Sequence, residues 1–159
     1  MVILSTALGA SFYDKDRKKL RTISLLITLI DEIYTQMRFT GATVEEILLG
    51  CSDNPIYNQL TFLAYIKKEK GRFSHTMVKN AVQKSAADMN FDSEEMMPLL
   101  NLADKLGTTD IAGQLRLLDS CKLQLLELKS AQNNRCDTLG KMYITLGLLL
   151  GIGTAVILA

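Results

Sequence analysis

Tryptophan is absent from this chain, histidine occurs once, proline twice and cysteine three times. Each scarcity excludes something. A single histidine, His75, cannot build an ordinary Cys/His zinc site without carboxylates. Cys51, Cys121 and Cys136 have no Cys-x-x-Cys spacing, and their odd number argues against a disulfide scaffold. They read as free thiols in a reducing compartment. No metal and no cofactor is expected. Only Pro55 and Pro98 can break a helix by lacking an amide proton, and Leu, Ile, Met, Ala, Lys and Glu dominate. That mixture favours helix, because unbranched side chains lose little rotamer freedom there. Eighteen basic residues nearly cancel seventeen acidic ones. A nucleic-acid binder would carry a clear basic excess, so no nucleic acid is expected as a partner. The 159 residues suffice for one domain.

Catalytic motifs are missing as well. There is no Walker phosphate loop, no Gly-x-Ser-x-Gly and no His-Glu-x-x-His. His75 lies in a polar stretch beside Ser74 and reads as a surface histidine. Glu45-Glu46 and Glu94-Glu95 are adjacent, so on a helix each pair diverges by about 100° and makes no acid/base couple. Lys67-Lys68-Glu69-Lys70 reads as a solvated helix end, with contact to anionic lipid as the alternative. No catalytic residue is assigned, and the chain is not expected to be an enzyme.

What the chain does have is two apolar ends. Residues 142–159 contain no charge. As a helix rising about 1.5 Å per residue they reach roughly 27 Å, close to a bilayer's hydrocarbon core. Residues 139–159 are therefore expected to form a transmembrane helix. Within it Gly147 and Gly151 make a stripe of small residues that lets two helices approach closely in lipid. Glycine is also simply common in membrane helices, and that alternative stays open. Residues 1–13 are uncharged but short for a span, and the basic residues follow them, unlike a signal peptide. They read as a short membrane segment, or the remnant of a longer one if translation starts upstream. Lys15, Arg17, Lys18, Lys19 and Arg21 follow the first segment, and Arg135 and Lys141 precede the second. The positive-inside rule then puts the central domain, residues 14–138, in the cytoplasm.

The middle reads as six amphipathic helices joined by short turns. The first starts near Asp14, with Ile23, Leu26, Ile27, Ile30, Ile33, Tyr34 and Met37 at steps of three and four, and ends at Gly41. Thr43 and Glu46 make a capping-box pattern for the second. Ser52-Asp53-Asn54-Pro55 turns into a third, with Ile56, Leu60, Leu63 and Ile66 as its face and Gly71 as its stop. Ser74 caps the fourth. The fifth carries Leu99, Leu100, Leu102, Ala103 and Leu106, with Pro98 in its first turn or at a kink. Gly107 closes it. Thr108 or Thr109 opens the sixth, with Asp110 in its first turn and Ile111, Leu115, Leu118, Cys121, Leu125 and Leu128 as a packing seam. That helix is expected to run almost directly into the membrane span. The fold expected is an all-α, six-helix antiparallel bundle with membrane segments at the ends.

Taken in order, these residues resemble the stage III sporulation protein AB family of endospore-forming bacteria, itself similar to the type II secretion F-type inner-membrane platform proteins. Leu8-Gly9, Arg17 to Leu20 and Asp31-Glu32-Ile33 carry the first part. Gly41-Ala42-Thr43-Val44-Glu45-Glu46-Ile47-Leu48 is similar to the family's Gly-x-Thr-x-x-x-Glu-Ala-Leu. Leu106-Gly107-Thr108-Thr109-Asp110 with Gln114 is similar to its Leu-Gly-x-Ser-Asp-x-x-x-Gln, and Leu139-Gly140 fits before the span. The resemblance implies a non-enzymatic membrane platform of F-domain type. It would serve the channel complex that joins mother cell and forespore and is required for endospore formation. It implies residence in the mother-cell membrane around the forespore. It also implies docking of a cytoplasmic secretion-type ATPase, stage III sporulation protein AA, beside other proteins of that complex and membrane lipid. Self-association of the chain stays open. Glu32, Gly41, Gly107, Asp110 and Gln114 are the candidates for structural or partner-contact roles, and Gly147 and Gly151 for helix packing. The alternative function is a tail-anchored helical adaptor that binds an amphipathic partner helix in a groove.

Overall fold

The computed structural model describes the backbone of residues 2–69 and 73–158, and the side chains of residues 15–69, 73–138 and Met142. Among the described residues the chain is all helix and turn, with no strand. Seven α-helices follow one another: α1 (Val2–Thr40), α2 (Val44–Asp53), α3 (Thr61–Lys68), α4 (His75–Lys84), α5 (Ala86–Met89), α6 (Ser93–Lys105) and α7 (Ile111–Leu158). All six expected helical segments are present. The stop expected at Gly71 lies outside the described residues.

The two long helices set the frame. α1 has 39 residues and α7 has 48. They pack antiparallel along one side of the bundle. Ile23, Leu26, Ile30, Ile33 and Met37 bury one stripe of α1, and Leu118, Cys121 and Leu125 bury the facing stripe of α7. Polar pairs fix their register. The Gln132 amide donates to the Asp16 carboxylate at 2.9 Å, and Lys122 meets Asp31 at 2.6 Å. Sliding α7 by one turn would bury the Gln132 amide without its acceptor.

Helix α1 corrects an expectation. No turn separates residues 2–13 from the amphipathic helix expected to start near Asp14. A run of charges changes which face is wetted, but it leaves the backbone ladder intact, and no proline or cap interrupts it here. α7 passes through residue 138 as one helix, the continuity expected of the sixth helix. Among the described residues no helix is long and apolar enough to cross a membrane. The side chains of residues 1–14, 139–141 and 143–159, which include those of the two expected membrane segments and the Gly147/Gly151 stripe, lie outside the described residues.

The shorter helices stack on this frame through α1–α2, α2–α3, α3–α4, α4–α6 and α6–α7 contacts. Their caps follow the sequence. The Thr43 hydroxyl accepts from the Glu46 amide while the Glu46 carboxylate accepts from the Thr43 amide at 2.9 Å. Ser74 accepts from the Met77 amide. Asp92 and Glu95 make a second capping box that opens α6 before Pro98, so the proline sits in the second turn and not the first. Pro98 is buried, and its carbonyl accepts from the Cys121 thiol.

The third helix is the clearest departure. One continuous helix from Pro55 would line up Ile56 with Leu60 and Leu63. Instead the Asn54 side chain accepts from the Ile56 amide and starts a 3-10 turn, Pro55–Tyr57, and α3 begins only at Thr61. Ile56 is 61 % exposed and Tyr57 is 3 % exposed. The break lets Tyr57 and Leu60 both turn inward, and the Tyr57 hydroxyl reaches the Glu32 carboxylate on α1 at 2.5 Å. A second unexpected element is α5, a single turn ended by Asn90 in a left-handed conformation (φ 58°). Asn tolerates that region because its short side chain hydrogen-bonds locally.

Candidate functional site

Two loops built on left-handed glycines meet at one end of the bundle. Gly41 (φ 64°) ends α1, and Gly107 (φ 82°) follows α6. The second loop is held from within. The Gly107 amide donates to the Gln114 side-chain carbonyl at 3.3 Å, and the Gln114 amide nitrogen donates to the Thr109 carbonyl at 2.8 Å. Gln114 is 8 % exposed, so both ends of its side chain are engaged in bracing the turn. Asp110 accepts from the Gly113 amide at 3.2 Å, which makes Asp110 itself the cap of α7. The sequence pattern had put Thr108 or Thr109 there. The first loop is held by Thr43 and Glu46. The Thr43 amide and hydroxyl together hold the Glu46 carboxyl below the usual carboxylate range.

Between the two loops lies an open groove of about 410 Å³. Met37, Val44, Phe73 and Ile111 supply apolar walls, Glu45 a carboxylate, and Gly41, Gly107 and Gln114 its polar lining. Ile111 is 56 % exposed although it belongs to the periodic seam of α7, because the seam outruns the bundle at this end. Thus Gly41, Gly107 and Gln114 come together, and Asp110 supports the loop beside them. Glu32 does not join them. It lies further down α1, where Tyr57 and the Gln36 amide donate to its two oxygens. That contact ties α1 to the 3-10 turn. Phe73 and Ile111 line the groove without any local signature of a site. Period alone assigns Ile111 to a core, and nothing in the sequence says that Phe73 turns toward residues 107–114.

The reactive groups elsewhere are quiet. Burial pushes the Cys121 thiol up to about 12, and burial together with the nearby Glu32 charge pushes Cys51 up to about 12. Burial, then the hydrogen bond to Glu32, raises the Tyr57 phenol above its ordinary value. Such thiols stay protonated at neutral pH and are poor nucleophiles. His75 is exposed at the start of α4. Among the described residues no three His, Cys, Asp or Glu side chains gather as a metal site. What the exposed geometry offers at the Gly41/Gly107 end is a mixed apolar and polar surface.

No curated relative and no solved structure matches the chain. A family model described as stage III sporulation protein AB matches residues 1–159, its whole length. With the glycine-capped loops, the capping box and the terminal long helices in place, the chain belongs to the stage III sporulation protein AB family.

Proposed function

We propose that this protein is a non-enzymatic membrane platform of the stage III sporulation complex, and that the Gly41/Gly107 end of its bundle docks the cytoplasmic ATPase of that complex. Family membership supports a role alongside other stage III sporulation proteins. The observation that carries the finer reading is the antiparallel packing of α1 and α7. Because they run in opposite directions, the two charge-poor ends, residues 2–13 and 142–158, leave the bundle on the same side. Anchored there in the mother-cell membrane, the bundle holds its groove about 40 Å away, the rise of the 27 residues from Asp14 to Gly41. A cytoplasmic partner meets that end first.

The test is binding of the purified ATPase to the full chain held in detergent. Ile111→Asp and Glu45→Lys change the groove without touching a buried residue, and each should weaken binding at least about tenfold, since a hot-spot truncation costs on the order of 2 kcal/mol. Leu123→Asp, on the exposed side of α7, should leave it unchanged. Equal affinity for all four proteins would remove the groove from the interface. No binding by the native chain would remove the ATPase.

A further inference from the structure

The charge of the protein is unevenly placed. Residues 14–21 and 129–141 hold eight Lys and Arg against three Asp, a net of five positive charges on a chain whose total is one. The rest of the chain is net negative by four. These two stretches are far apart in sequence, and the α1–α7 packing brings them to the same end of the bundle, with Gln132 bonded to Asp16 between them. Lys19 turns inward to Glu95 at 2.5 Å and is almost fully buried. Lys18, Arg21 and Arg135 are exposed, and among the described residues they form no ion pair.

We infer that this collar binds anionic phospholipid: Lys18, Arg21 and Arg135 take headgroup phosphates. The inference rests on the membrane reading above, which sets the depth. Lys18 and Arg21 stand about 6 and 10 Å along the helix from Asp14, and Arg135 about 10 Å from Met142. A headgroup layer extends about 5–8 Å beyond the hydrocarbon core, within reach of side chains that extend toward it. A phosphate there meets several cations at once, and guanidinium groups match phosphate oxygens in pairs. A zwitterionic headgroup carries its own compensating cation, so the collar discriminates by net lipid charge.

The full chain, solubilised in neutral detergent with equimolar phosphatidylglycerol and phosphatidylcholine, is captured and washed, and the retained lipids are quantified by mass spectrometry. Phosphatidylglycerol should be enriched about fivefold or more, and high salt should lower the ratio. The triple variant Lys18→Gln, Arg21→Gln, Arg135→Gln should bring the ratio near one with unchanged helicity. The triple variant Lys67→Gln, Lys68→Gln, Lys105→Gln, away from the collar, should keep it. A ratio near one for the native chain, or enrichment that survives loss of the collar charges, overturns the site while retained lipid leaves the membrane reading standing. Retention of neither lipid overturns the membrane reading and the collar with it.

Discussion

Replacing Gly107 by alanine isolates a backbone effect from a packing effect. Its φ of 82° lies in the left-handed region, and a Cβ built there would meet nothing within 4 Å. Crowding therefore contributes nothing, and the penalty is that of an L-residue in a left-handed conformation, about 1–2 kcal/mol. The unfolded chain loses freedom on gaining the methyl group, which offsets about 0.4–1 kcal/mol. The net loss is about 1 kcal/mol, or a fall in Tm of about 2–4 °C for a chain of this size. Gly50 is the internal control. It lies inside α2 with no positive φ, and its Cβ would also meet nothing within 4 Å. There alanine should stabilise by about 0.5–1 kcal/mol, because glycine is a poor helix former. The same chemical change should thus move Tm down at 107 and up at 50. Thermal unfolding of the full chain in one detergent, followed by far-ultraviolet circular dichroism, reads both. Gly107→Asn should fall between Gly107→Ala and the native chain, since Asn tolerates the left-handed region. A Tm for Gly107→Ala at or above that of the native chain would refute the assignment of the turn and the reasoning from it.

Stability should decline in alkali. Cys51 and Cys121 titrate near 9 when unfolded and near 12 in the fold, so the native state holds their protons more tightly. Their contribution is complete below pH 9 and is lost as pH rises toward 12; urea unfolding of Cys51→Ala/Cys121→Ala should show a shallower decline than the native chain. Glu95→Ala should cost about 2–4 kcal/mol, because it leaves the nearly buried Lys19 ammonium without its partner and also opens the Asp92 capping box. Glu46→Ala, which opens only a solvent-facing capping box, should be distinctly milder in the same chemical denaturation. Topology needs an introduced thiol, since Cys51, Cys121 and Cys136 are all buried. A cysteine at exposed Ser130 should resist a membrane-impermeant maleimide in intact cells and react after permeabilisation, and labelling of intact cells would place the bundle on the other side of the membrane.

Much of this protein is written locally in its residues. Thr43 with Glu46, Ser74, Gly41 and Gly107 each specify a helix end through one or two nearby backbone groups, so their meaning survives without knowledge of the rest of the chain. The stripes on α1 and α7 are legible for the same reason, since a period of three and four residues is a property of the segment alone. The capping box of Asp92 and Glu95 is equally local.

Tertiary structure decided what depends on distant residues. Local pattern makes Pro55 to Ile66 one helix, yet Tyr57 has an acceptor on Glu32, 25 positions away, and the buried hydroxyl outweighs the exposure of Ile56. Glu32 and Gln114 look alike as isolated polar residues in helices. Only the fold makes one a tie across α1 and the 3-10 turn, and the other a brace inside the Gly107 loop. The groove has no local signature either, because its walls come from residues 37–45, from Phe73 and from residues 107–114. Which charges gather at one end is likewise a matter of topology. Sequence shows two basic stretches separated by more than a hundred residues, and the antiparallel α1–α7 pair makes them neighbours.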